Sequence, residues 1–109
     1  MLATLKEVLQ EAEDKKIAIG AFDTPNLESL CAAIAAAEEV ELPTIIMHAQ
    51  CHEELCPLDV IGPIMVERAK KARVPVCVML DHGEDLDYLK RSLEMGFTAV
   101  MYDGSTTPY

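Results

Sequence analysis

Apolar and polar positions along the chain change period several times, and each change predicts an element. Thr4-Leu5-Lys6-Glu7 has the spacing of a capping box. Leu5, Val8, Leu9 and Ala12 then share one helical face, which predicts an opening helix ending near Lys15 or Lys16. "IAIGAF", Ile17 to Phe22, is a short apolar run with a glycine near its end and predicts a buried strand. "DTPN" follows, with Thr24 expected as N-cap and Pro25 at the first helical position. Leu27, Leu30, Cys31 and Ile34 carry a helical period to about Val40. "PTIIMHA" predicts a second strand from Thr44 to Met47 or His48, and "QCHEELCPLDVIG" a polar connection. Pro63 is expected to open the next helix, where its missing N–H is no loss, with Ile64, Met65, Ala69 and Ala72 on the buried face. "VPVCVML" predicts the third strand, Leu86, Leu89 and Leu93 the stripe of a further helix, Gly96 its C-terminal stop, and "FTAVMY" the fourth strand.

The strands are continuous apolar runs rather than alternating ones. Such strands are buried on both faces, which points to a parallel sheet with helical crossovers. Two α/β architectures fit: a small open sheet, or a (β/α)8 barrel, which normally needs about 250 residues. No linker or low-complexity stretch interrupts the 109 residues, so one domain is expected over 1–109. The polar residues Asp23, His48, Asp81, His82 and Asp103 all fall at or just past strand C-termini, where both architectures place their active sites.

Composition narrows the function classes. A net charge of −10 argues against nucleic acid and anionic membranes as partners. No run approaches the length of a membrane helix, and the amphipathic, acidic first residues lack the pattern of a secretory signal. A cytoplasmic protein is expected. Cys31 and Cys77 sit in apolar periodic segments as small core residues, Met47, Met65, Met79 and Met101 look like core filler, and Glu38, Glu39 and Glu41 form a solvated helix end. "HAQCHEELC" gathers His48, Cys51, His52 and Cys56, but its spacing follows no common zinc pattern; His48 and His52 are kept as additional metal candidates beside the reading as a solvated loop.

"VCVMLDHGED", Val76 to Asp85, drives an apolar strand straight into Asp81 and His82. By itself this reads as a polar turn capping the next helix sooner than as a site. Together with "IGAFDTPNLESLCAAIAAAEE" and with "VMYDGS" about twenty residues later, the chain resembles the class II, metal-dependent ketose-bisphosphate aldolases of the fructose- and tagatose-bisphosphate type. That resemblance implies the N-terminal half of a (β/α)8 TIM barrel, with parallel strands in the order 1-2-3-4 preceded by an additional helix. It implies that Asp81 is the general acid/base and His82 a ligand of a catalytic zinc or other divalent ion. Asp23, Asp103 and Ser105 would lie near the substrate or a cation, including a monovalent one. Two positions depart from the family pattern: Met79 where a histidine is common, and Asp23 where asparagine is usual. The remaining zinc-binding histidines and the phosphate-binding loops of the family come from later strands.

The implied reaction is reversible retro-aldol cleavage of a phosphorylated ketose to dihydroxyacetone phosphate and an aldehyde, as in glycolysis. The isolated chain is expected to be inactive and to seek a partner, as a homo-oligomer or with a complementary half barrel, because the outer strands present open edges. Two other readings stand beside it: a non-catalytic half-barrel module, and a different metal-dependent lyase on the same fold. For Asp81 and His82 to face one substrate the strand end must bend, because adjacent strand residues point to opposite faces; Gly83 is expected to permit the bend.

Overall fold

The computed structural model describes residues 1–108. Helix α1 (Leu5–Lys15) begins as the sequence predicts. Thr4 accepts from the Glu7 amide while the Glu7 carboxylate accepts from the Thr4 amide, a reciprocal cap that typically contributes about 1 kcal/mol. Then follow β1 (Ala21–Asp23), α2 (Leu27–Val40), β2 (Thr44–Ala49), a 3-10 turn (Gln50–His52), α3 (Leu58–Lys71), β3 (Val76–Gly83), α4 (Leu86–Glu94) and β4 (Ala99–Tyr102). All neighbouring strands are parallel and the sheet order is β1-β2-β3-β4. This is the strand order and crossover pattern of the first half of a (β/α)8 barrel.

Each sheet face has its own core. Ile46, Val76, Val78 and Leu80 point toward α2, α3 and α4, where they pack with Leu30, Ile34, Met65, Tyr88 and Leu89. Ile45, Cys77 and Ala99 point the other way, with Met47 and Met79 beside them, and α1 closes over that face through Val8. Burial on both faces explains the unbroken apolar runs of β2 and β3; full burial of each such side chain stabilises by about 1.5–3 kcal/mol.

Several local expectations are corrected. β1 is shorter and later than Ile17–Phe22 and is exposed rather than buried; past its end the Thr24 amide still bonds to the Met47 carbonyl along β2. Thr24 is thereby held in the sheet's continuation, and Asn26, not Thr24, caps α2, accepting from the Ser29 amide at 2.8 Å. Pro25 precedes the helix. α3 begins at Leu58 after Pro57, leaving Pro63 in its second turn. Pro63 lies on the exposed face, so the Asp59 carbonyl that loses its helical partner can turn to water. Leu27, Ile64, Leu86 and Leu93 are exposed rather than packed inward. On α4 the inward face is Tyr88, Leu89 and Ser92, so a polar residue and a tyrosine displace the leucine stripe. Gly96 does stop α4, at φ 105°.

Candidate active site

β3 is the longest strand, and it runs on through Asp81, His82 and Gly83 instead of ending at Leu80. Its pairing with β4 is interrupted there. Leu80 pairs with Val100 and Gly83 with Tyr102, so Asp81 and His82 together stand opposite the single residue Met101. This is a two-against-one bulge, a device that bends a strand and re-aims side chains. The bend sits at His82, whose φ is +45°. Gly83, expected to supply the turn, is not in the left-handed region. Its lack of a side chain serves packing instead: a Cβ there would come within 2.5 Å of Leu89 Cδ1 and 3.0 Å of Leu80 Cδ2.

The bulge explains how a buried strand delivers two adjacent polar side chains to one place. Parity alone puts Asp81, which pairs with Ala49, on the face of Met47 and Met79. The left-handed turn brings the next residue round beside it: His82 Nε2 is 3.8 Å from Asp81 Oδ2. Asp103, just past β4, completes the group. Its amide bonds to the Gly83 carbonyl at 2.8 Å, and its Oδ2 lies 2.8 Å from His82 Nδ1. Its other oxygen, Oδ1, accepts from the Ser105 amide at 2.9 Å. The hydrogen bonds from Ser105 and then from His82 hold the Asp103 carboxyl down at about 2. The same Asp103 bond, followed by the charge of Asp81 and more weakly that of Asp23, raises the His82 imidazole above its ordinary value.

An ionised carboxylate only accepts, so His82 Nδ1 carries the proton it shares with Asp103. In the neutral ring the lone pair is then on Nε2, the nitrogen that faces Asp81. That is the arrangement in which a carboxylate orients a metal-binding histidine. Asp23, in register with Met47, belongs to the same sheet face and is exposed at the end of β1.

His48 and His52 lie elsewhere. His48 pairs with Leu80, on the face turned toward the helices, and is fully buried. Its Nε2 is 3.2 Å from the Tyr88 hydroxyl, which donates to Glu53 Oε2 at 2.5 Å. The His52 ring is 6.0 Å away, edge to face. Burial, then the neighbouring His52, lowers the His48 imidazole. The three histidines therefore do not converge, and among the described residues no group of three or more His, Cys, Asp or Glu side chains is placed to hold a metal. Residues that the sequence pattern did not single out tie this side together: Glu53, Tyr88 and Gln50, whose Oε1 accepts from the amides of Glu84 at 2.9 Å and Asp85 at 3.2 Å. A polar loop residue carries no periodic signal, and Tyr88 stood outside the leucine stripe.

A protein-family model described as "Fructose-bisphosphate aldolase class-II" matches residues 3–109. The chain is 37% identical to a fructose-bisphosphate aldolase of Thermus caldophilus over 96% of its own length. It is 33% identical to a 6-phospho-5-dehydro-2-deoxy-D-gluconate aldolase of Halalkalibacterium halodurans over 98%. It spans only 34% and 38% of those two proteins. Among solved structures it superposes on the YdjI aldolase from Escherichia coli K12 with a TM-score of 0.91 and 31% identity, covering 99% of this chain and 42% of that one.

Proposed function

The chain belongs to the class-II fructose-bisphosphate aldolase family, and from that premise we propose that it forms the first half of the barrel of a metal-dependent aldolase acting on a phosphorylated ketose. Asp81 is the proton-transfer group and His82 one ligand of the metal, zinc. Fructose-1,6-bisphosphate or tagatose-1,6-bisphosphate is the substrate type, in a cytoplasmic pathway of carbohydrate metabolism. The observation that carries this reading is the bulge that seats Asp81 and His82 together, with Asp103 behind the imidazole.

A catalytic zinc takes about three protein ligands and keeps one position open. The donors present fit one corner of such a site: a histidine whose Nδ1 proton is engaged and whose Nε2 is free to bind. The other ligands have to come from outside this group, since His48 and His52 lie across the sheet. A divalent ion held there would supply Lewis-acid charge to the cleavage. The chain's own residues do the rest. In the cleavage direction the Asp81 carboxylate takes the proton from the hydroxyl that becomes the aldehyde, and returns it in the reverse reaction. Asp103 holds the His82 ring in one tautomer and one orientation. Asp23 and Ser105, both exposed near this strand end, contact the substrate or a monovalent cation. The isolated chain cleaves nothing, because one ligand does not retain the ion, and it requires the rest of a barrel or a complementary half.

The test is zinc content and aldolase turnover in three samples: the isolated chain, the chain completed to eight strands with the C-terminal half of a relative such as the Thermus caldophilus aldolase, and the completed barrel carrying Asp81→Ala. We expect zinc and turnover only in the completed barrel, and zinc without turnover in the variant. His82→Ala should lose both together. Full turnover by the isolated chain, or by the Asp81→Ala barrel, overturns the assignment.

A further inference from the structure

We propose that Gln50 is a positioning residue for the His82 turn, acting from the loop after β2 through the backbone of Glu84 and Asp85; this rests on the role given to His82 above. Glu84 and Asp85 lie between the last ladder residue, Gly83, and the first helical residue, Leu86. Neither strand nor helix geometry offers their amides an acceptor. The Gln50 side-chain carbonyl takes both, at 2.9 Å and 3.2 Å. One side chain thus spans from the loop after β2 to the turn that follows the bulge.

His82 needs such support. A left-handed conformation is strained for a non-glycine residue and persists only where the surroundings impose it. Three restraints surround this one. Gly83 is wedged against Leu80 and Leu89. The Gly83 carbonyl accepts from the Asp103 amide at 2.8 Å. Gln50 fixes the next two residues. The first two come from the sheet and helix core and are shared with the fold. The third is a single side chain on a loop: Gln50 is only half-buried and the amides it binds belong to exposed residues. Its loss frees the turn without opening the core.

The loop that carries Gln50 is itself pinned to the first turns of α3 and α4. Glu53 accepts from the Tyr88 hydroxyl and from the Leu58 amide. Gln50 therefore acts as one end of a fixed brace between the β2–α3 and β3–α4 loops.

The experiment compares Gln50→Met, which keeps length and loses the acceptor, with Gln50→Glu, which keeps an acceptor oxygen, in the completed barrel. Displacing a reacting group by about 1 Å can cost on the order of 100-fold in rate, so we expect Gln50→Met to lower kcat by roughly 10- to 100-fold while KM stays within about threefold. Gln50→Glu should recover most of the loss. The His82 Nδ1 proton, read by NMR as the proton shared with Asp103, should broaden or shift in Gln50→Met and return in Gln50→Glu. An unchanged kcat and an unchanged Nδ1 resonance in Gln50→Met overturn the proposal, as does a KM that rises in both variants, which marks direct substrate contact. If the unsubstituted barrel has no turnover, the aldolase reading fails on that measurement, and the Nδ1 resonance still decides the positioning role.

Discussion

The His82 imidazole shares its Nδ1 proton with Asp103 across 2.8 Å, although 21 residues separate the two in sequence. The contact joins the end of β3 to the loop after β4 and leaves Nε2 as the nitrogen facing Asp81. Removing the charge while keeping the shape should therefore loosen the ring rather than the fold. Partners of this kind typically account for 10- to 100-fold in metal affinity. Asp103→Asn in the completed barrel is expected to weaken zinc binding by about that factor with little change in thermal stability. Competition with a chelator measures it, and an unaltered zinc affinity rejects the role assigned to Asp103.

The left-handed backbone of His82 separates two variants that both lose the imidazole. Glycine adopts φ near +45° without a Cβ clash, whereas alanine does not. His82→Gly is expected to be more stable than His82→Ala by about 1 kcal/mol, the lower end of the left-handed penalty. Urea unfolding of the two proteins reads this directly. Equal stabilities would mean that the bend is not held at residue 82.

Much of this architecture was legible in the chain, and the parts that were not share a physical reason. The capping box at Thr4 and Glu7, the apolar runs of β2 and β3 and the stop at Gly96 are local signals, and the structure follows them. The family resemblance named Asp81 and His82 as a pair. What sequence could not supply was register. Whether His48 shares a face with Asp81 depends on how β2 aligns with β3, and the observed pairing of Ala49 with Asp81 sends His48 to the opposite side. The bulge is likewise a property of two strands together: Met101 carries no mark that it opposes two residues. Thr24 and Pro63 were misplaced for a related reason. A cap-like threonine was claimed by the sheet, and a proline was tolerated on the exposed face of a helix whose inner face was already packed.

Gly83 offers a test of the packing beneath the bulge. A methyl group there meets Leu89 Cδ1 at 2.5 Å and Leu80 Cδ2 at 3.0 Å, and both leucines are buried, so neither can swing into solvent. Overpacking of this kind costs about 1–3 kcal/mol. Gly83→Ala should lower the unfolding free energy by that amount, and it should also disturb the His82 Nδ1 resonance because α4 must move away from the strand. A variant as stable as the parent would show that the leucines have room the structure does not provide.

His48 makes stability depend on pH from the other side of the sheet. The Tyr88 hydroxyl gives its proton to Glu53, so its oxygen accepts from His48 Nε2–H, and the lone pair of the neutral ring is on Nδ1. Nδ1 is buried without a partner. Protonating it would place an N–H and a charge where nothing accepts them. Burial is the main cause of the lowered imidazole and His52 adds to it, while the carboxylates of Glu53 and Asp23 oppose. A histidine held below its unfolded value binds its proton more readily when unfolded. Its contribution to stability is therefore complete above the ordinary value near 6.5, and declines as pH falls from there toward the lowered folded value. His82, raised in the folded state, runs in the opposite sense. Glu53 is held below its usual range, so its contribution fades only under more acid conditions. The difference between the parent and His48→Gln isolates the effect, since glutamine can still donate to Tyr88 and does not titrate. As pH falls below about 6.5 the parent should lose stability relative to the variant, by at most about 1.4 kcal/mol per pH unit for one proton. Unfolding curves of the two completed barrels across that range measure it, and stabilities that run parallel would show that His48 is not held neutral by its burial.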